Sequence, residues 1–231
     1  MAVDILGTAL QDYLRGQFMS PLLLHTSYGE TEEMPVDEFF RGPGDFPELE
    51  HMALSFCSGK TLDVGAGAGS HALYLQQRGM DVHALDISPL AATVMKQRGV
   101  EQVSTADIFN YHTGQYDTLL FLMNGIGLCG DLEKLKVLLR RCRSLLRAGG
   151  QLLFDSSDIA YLYADGSVTR PSGYYGQIRY QYEYRGNRGA PFNWLYIDRD
   201  TLTHLAQEAG WAVQILFEDG NDQYLARLVI R

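Results

Sequence analysis

Between residues 61 and 155, short apolar runs alternate with segments whose apolar positions recur every three or four residues. The runs predict strands at residues 61–64, 82–86, 102–105, 117–123 and 151–155, and the longer periodic segments predict helices at 70–78, 89–98 and 132–146. Strand, crossover helix and strand in repetition build a parallel sheet covered on both faces.

The flanks read differently. Val3, Leu6, Leu10, Tyr13, Leu14 and Phe18 keep helical spacing until Pro21 interrupts, so an amphipathic helix is expected first. Residues 25–44 mix Gly29, Pro35, Gly42 and Pro43 with the acidic run Glu30-Thr-Glu-Glu33, which predicts loop broken by one short helix at 36–41. A further helix starts at Pro47, where proline suits the first turn. Past Asp158 the alternation stops: Ile178, Tyr180, Tyr182 and Tyr184 alternate with Arg179, Gln181, Glu183 and Arg185, a strand with one aromatic face. Residues 186–189 supply a turn, and 192–197 return as a partner strand. A helix capped by Asp198 or Asp200 follows, then strands at 211–217 and 224–230, antiparallel because their connection is too short for a crossover. The expected organisation is an N-terminal helical cap over 1–58 and an α/β domain over 59–231 carrying a substrate-side insertion at about 159–197.

Composition narrows the partners. With 231 residues and 46% hydrophobic content the chain suits one large domain with a modest cap. A net charge of -9 leaves no basic face for nucleic acid, and the arginines at 140–147 read as the polar side of an amphipathic helix. Cys57, Cys129 and Cys142 lie far apart with no Cys-x-x-Cys or Cys/His spacing, so no metal site is expected and the thiols suit the cytoplasm. No stretch of roughly 18 apolar residues occurs, and no membrane partner is expected.

The chemistry centres on Thr61-Leu-Asp-Val-Gly-Ala-Gly-Ala-Gly-Ser70. A glycine turn between a buried strand and a helix lets backbone N–H groups and the helix N-terminus approach a polar ligand. Asp86, ending the next strand, stands where a carboxylate accepts both hydroxyls of a ribose. The loop alone permits NAD, a flavin nucleotide or no ligand. Asp63, two residues before the first glycine, suits the amino-acid end of a cationic ligand and would repel a pyrophosphate.

From residue 59 to 158 the sequence resembles the class I S-adenosylmethionine-dependent methyltransferases. Their first motif looks like Leu62-Asp-Val-Gly-Ala-Gly-Ala-Gly-Ser70, their second like Ala84-Leu-Asp-Ile-Ser-Pro89 and their third like Ala106-Asp107-Ile108. Their late motif looks like Leu145-Leu-Arg-Ala-Gly-Gly-Gln-Leu-Leu-Phe154. The resemblance implies a three-layer, Rossmann-like α/β fold: a seven-stranded, mostly parallel sheet with an antiparallel last strand. It implies S-adenosylmethionine as cofactor, with Asp63, Gly65, Ala66, Gly67 and Gly69 at its methionine moiety, and Asp86 and Ile87 at the ribose and adenine edge. Asp107 and Ile108 would close the adenine pocket, and Asn124, Gly125 and Ile126 would lie near the sulfonium. Arg41 is a further candidate, since arginine suits the cofactor carboxylate.

An unidentified small-molecule acceptor is expected, because Met123-Asn-Gly-Ile-Gly127 lacks the Asn/Asp-Pro-Pro-aromatic run of enzymes that methylate DNA bases or glutamine. Methyl transfer from a sulfonium is an in-line displacement and needs a base only if the acceptor must lose a proton. His25 and Tyr28, in an N-terminal loop expected to fold over the cofactor, are candidates for catalysis; histidine has a suitable pKa. Tyr28, Tyr182, Tyr184 and Trp194, with Tyr180 and Tyr196, are candidates for lining the acceptor pocket. The same aromatic face could instead pack on the N-terminal helices or form a homodimer contact. Two other readings stand beside this one. An NAD-dependent oxidoreductase would need a separate catalytic domain and a different glycine spacing. A non-catalytic regulatory protein would keep the fold and bind the cofactor without turnover.

Overall fold

The computed structural model describes residues 3–29 and 31–231. Its main sheet contains β3 (Thr61–Val64), β4 (Val82–Asp86), β5 (Val103–Thr105), β6 (Tyr116–Phe121), β7 (Leu146–Ser157), β11 (Trp211–Glu218) and β12 (Gln223–Ile230). The order is β11-β12-β7-β6-β3-β4-β5, with β5 to β7 and β3, β4 mutually parallel and β12 antiparallel to both its neighbours. This is the seven-stranded, mostly parallel arrangement the sequence led us to expect. β3 is buried at every position because it lies at the centre with helices on both faces. One apolar layer joins Leu62, Val64, Phe121 and Phe154 to α5 (Leu132–Leu145) and α6 (Arg199–Glu208). The opposite layer joins Leu120, Leu122 and Leu153 to α2 (Glu48–Phe56) and α3 (Ser70–Gln77).

A second sheet lies outside this domain. It pairs β1 (Leu22–Thr26), β2 (Thr31–Met34), β8 (Gln177–Tyr184) and β10 (Phe192–Leu195) in the order β10-β8-β1-β2, and β9 (Asn187–Arg188) pairs with β8. The turn between β8 and β9 falls at Arg185-Gly186, both at positive φ, one residue earlier than the glycines had suggested. α1 (Ile5–Leu14) packs on this sheet and on α4 (Pro89–Arg98), and Asp4 ties them by capping Gly7 N and accepting from Ser88 Oγ at 2.6 Å.

The expectation of loop at residues 25–34 is corrected. Residues 22–26 and 31–34 form a hairpin whose first strand pairs with β8, so the N-terminal segment and the insertion share one sheet. Thr31-Glu-Glu-Met carries little strand propensity of its own, and pairing with distant sequence decides its conformation. The short helix near Val36 is present as a 3-10 turn, Val36–Phe40.

Candidate active site

The glycine loop leaves β3 at the carboxyl edge of the sheet. Gly65, Gly67 and Gly69 all have positive φ, which the turn requires. Four of its amides are paired within the chain: Gly65 N and Ala66 N donate to Leu85 O, Gly67 N to Asp86 Oδ2 and Gly69 N to Ala66 O. The glycine geometry also allows close approach. A Cβ at Gly67 would come within 3.0 Å of the Phe39 ring, so the 36–40 turn lies directly on the loop.

Arg98 fastens that turn down. Its guanidinium donates to Ala68 O at 2.7 Å and to Phe39 O and Phe40 O at 3.4 Å, and lies 4.9 Å from the Phe40 ring centre. Ser70 Oγ adds a 2.7 Å bond to Phe39 O. Asp86 also shapes the loop, accepting from Gly67 N at 2.9 Å and from Ser88 N at 2.8 Å. Burial pushes its pKa up, and these N–H groups oppose the rise.

Beyond the turn, Arg41 donates through Nη2 to Glu50 at 2.6 Å, and the other Glu50 oxygen meets His71 Nε2 at 2.8 Å. This is a buried cluster and not a surface ion pair. Arg41 Nε is buried with no hydrogen-bond partner among the described residues, and so is Asp63 Oδ2. Burial lifts Asp63 to about 6 against the pull of His71, while Asp86 pushes the same way as burial. A cationic and an anionic buried atom, linked through Glu50 and His71, thus stand on the loop's flank without partners.

Across the edge, Met123 and Asn124 both adopt left-handed backbone conformations, strain of the kind concentrated at functional sites. Asn124 N donates to Asp155 Oδ2 at 2.9 Å, as does Gln223 Nε2, while Asp155 Oδ1 is buried with no partner among the described residues. Burial raises Asp155 to about 6 as well, opposed by Asn124 N–H and Gln223. The sequence reading missed Asp155, Glu50 and His71. Asp155 did carry a signal, since Leu152-Leu-Phe-Asp155 brings an acid into the carboxyl-terminal part of a buried strand, as Asp63 and Asp86 do in β3 and β4.

Other expected residues divide. Ile87 is 69% exposed at the edge, free to cover a ring. Asp107 caps the next turn through Phe109 N, and the Ile108 side chain is buried in the core. Gly125 lies against Phe121 and Val64, and Ile126 is fully buried beneath the edge. On the cap's inner face, Tyr28 bonds to Glu32, and Tyr180 and Tyr196 share a 3.1 Å hydroxyl contact. Tyr182 packs at 5.1 Å from Phe192, and its hydroxyl feels Asp86. Trp194 covers Gly127, where any Cβ would fall inside the indole.

Two candidates point elsewhere. Tyr184 is buried among Ile5, Leu10 and Leu22, and its hydroxyl bonds to Asp12 at 3.1 Å, so it joins cap to α1 and lines no acceptor space. His25 sits in β1, on the outer face, bonded to Glu183 at 2.8 Å and Thr31 at 3.1 Å. It lies in a strand and not in the loop that had made it a candidate base, because alternation along β1 turns it opposite to Leu24.

The glycine loop between β3 and α3, the carboxylate ending β4 and the sheet order together define a nucleoside-binding α/β domain of methyltransferase type, and comparison agrees. A family profile described as a methyltransferase domain matches residues 62–154. A solved S-adenosylmethionine-dependent methyltransferase from Bacteroides fragilis, in complex with S-adenosyl-L-homocysteine, is similar to it. That structure is 41% identical with a TM-score of 0.91, and the match covers 98% of this chain and 94% of that one. The chain belongs to the S-adenosylmethionine-dependent methyltransferases. Two more distant structures share the fold. CcbJ methyltransferase from Streptomyces caelestis has 15% identity, coverage of 84% and 95%, and a TM-score of 0.64. The sugar N-methyltransferase KedS8 from Streptoalloteichus sp. has 17% identity, coverage of 88% and 95%, and a TM-score of 0.59. No curated protein matches the chain. The protein is an enzyme that uses S-adenosylmethionine as methyl donor.

Proposed function

We propose that the chain methylates a small molecule held between the inner face of the cap sheet and the carboxyl edge of the main sheet. The cofactor's zwitterionic end would be received by Asp63 and Arg41, and the observation that carries this is their pair of partnerless buried atoms, Asp63 Oδ2 and Arg41 Nε. An ammonium suits the first and a carboxylate the second. Glu50 and His71 hold the pair in place. Asp86 would accept the ribose hydroxyls, and Ile87 with Asp107 and Ile108 would bound the adenine.

The bound cofactor supplies a methyl group on a positively charged sulfur, so its departure needs no acid. The chain's part is alignment and exclusion of water. The Phe39-Phe40 turn, fastened by Arg98 and Ser70, covers the loop side. Met123, Asn124 and Gly125 bound the reacting centre from the sheet edge. Tyr28, Tyr182 and Trp194 would contact the acceptor, with Tyr182 at the junction of the two subsites.

An acidic chain and a site roofed by its own cap support a small acceptor over nucleic acid. No helix among the described residues is long and apolar enough to cross a membrane, and three free thiols support the cytoplasm. Parallel calorimetry with S-adenosylmethionine, S-adenosylhomocysteine and NAD tests the cofactor reading. Micromolar binding of the first two is expected, with none for NAD. An Asp63→Asn variant that binds S-adenosylmethionine as tightly as the parent would break the assignment of the methionine end.

A further inference from the structure

The main sheet holds two orphaned carboxylate oxygens, and one ammonium cannot pair with both. Asp63 is level with Leu120 on β6, and Leu120 with Leu153 on β7. Asp155 therefore lies two strands across from Asp63 and two residues nearer the carboxyl edge. Strands sit about 4.8 Å apart and rise about 3.3 Å per residue, so the two aspartates are separated by roughly 11–12 Å along the sheet. A single ammonium at Asp63 leaves Asp155, which is 1% exposed, still wanting a partner for Oδ1.

Opposite Asp155 stands the polar part of the cap. Tyr196 feels both Asp155 and Glu32, its hydroxyl meets that of Tyr180, and Tyr28 donates to Glu32. Glu32 bears on Tyr28, Tyr180 and Tyr196, and Asp155 on Tyr196, which stands beside it where Ile197 N donates to Ser156 Oγ at 3.0 Å; Asp155 itself feels Glu50, so the charges around it are acidic. Phenol rings and carboxylates that make no ion pair among the described residues favour a positively charged guest, through charge-assisted hydrogen bonds and the ring faces. A neutral alcohol would leave the buried Asp155 charge uncompensated.

We propose that the methyl acceptor is a small amine, carried in as its ammonium between Glu32, Tyr28, Tyr180 and Tyr196 of the cap and Asp155 of the main sheet. This rests on the methyl-transfer reading above. The acceptor nitrogen passes one proton to Asp155 Oδ1. Its freed lone pair then forms the nitrogen–carbon bond to the methyl group as the carbon–sulfur bond breaks, with the bonding electrons left on sulfur. The product leaves as the methylated ammonium, and Asp155 returns its proton to solvent.

The test is calorimetry on the full chain saturated with S-adenosylhomocysteine, titrated with phenethylamine and with its neutral counterpart 2-phenylethanol. The amine is expected to bind at least tenfold tighter. Asp155→Asn should abolish that preference and Glu32→Gln should reduce it, with both variants binding S-adenosylhomocysteine as the parent does. Equal affinity for the two probes, or binding of neither, overturns the proposal. So does an Asp155→Asn variant whose S-adenosylhomocysteine affinity falls tenfold, since the carboxylate would then serve the cofactor. Glu32 is exposed, so Glu32→Gln decides the matter should Asp155→Asn not fold; an unchanged amine preference there also overturns the proposal. Loss of S-adenosylhomocysteine binding by the parent would instead strike the cofactor reading itself.

Discussion

In the main sheet, neighbours β3 and β4, and β4 and β5, are joined by single short crossovers, and β3 is buried at every position. In the cap sheet, the central pair β1 and β8 brings together residues such as His25 and Glu183, 158 positions apart. The first arrangement closes small loops and gains core contacts at once; the second must close a large loop before its pairing adds anything. Asp63 and Asp86, proposed for the cofactor, lie in strands of the first sheet, whereas Tyr28, Glu32, Tyr180 and Tyr182, proposed for the acceptor, lie on the second or in its turn. On the proposed reading, cofactor binding is tied to the part that folds locally. Acceptor binding would then be tied to the part that needs the whole chain.

Substitution in the core should have the largest effect. Phe154→Ala removes a fully buried ring from the main sheet and is expected to cost about 3–5 kcal/mol of stability in denaturant unfolding, taking both sheets down together. A cap that unfolds separately from the main sheet would show that the two are less coupled than the packing of α1 on α4 implies.

Asp86→Ala comes next. Loss of the ribose contact should weaken S-adenosylmethionine binding by about 1.5–3 kcal/mol in calorimetry. Unchanged affinity would mean that the carboxylate serves only the loop bonds to Gly67 and Ser88.

Acidity should move stability and binding in opposite directions. Burial raises Asp63 and Asp155 from the ordinary 3.8 to about 6. Between those values the folded chain holds more protons than the unfolded one, so these groups add stability as the pH falls from about 6 toward 4. An ammonium pairs only with ionised Asp63, so cofactor affinity should fall over the same range. Thermal melts of the free protein and calorimetry across that window check the two signs; an affinity flat with pH would remove Asp63 from the cofactor site.

The smallest effects distinguish joints from site. Tyr184→Phe should cost about 0.5–1.5 kcal/mol of stability through its bond to Asp12, with cofactor affinity unchanged. His25→Ala, breaking a partly exposed contact with Glu183, should change stability by less than about 1 kcal/mol and leave methyl transfer intact. A large loss of turnover would return His25 to the candidate bases.

The main sheet was legible because its signals are local. A buried strand, a glycine turn and a helix declare themselves within ten residues at Thr61 to Ser70, and Asp86 and the Gly149-Gly150 entry repeat the pattern at expected intervals. The loop's glycines were read correctly as a turn, while the pairing of Gly65 N with Leu85 O and of Gly67 N with Asp86 depends on how β3 and β4 lie side by side. The cap was not legible in the same way. Thr31-Glu-Glu-Met becomes a strand because β1 pairs with β8 across most of the chain, and no local pattern encodes that pairing. Tertiary structure alone placed His25 outward, turned Tyr184 onto α1, and set Arg41 against Glu50 and His71. By itself, then, the sequence determined the sheet and its nucleoside loop, since backbone geometry and burial are written at short range. Which side chains meet across the site depended on packing between segments far apart in the chain, and that is a property of the folded molecule.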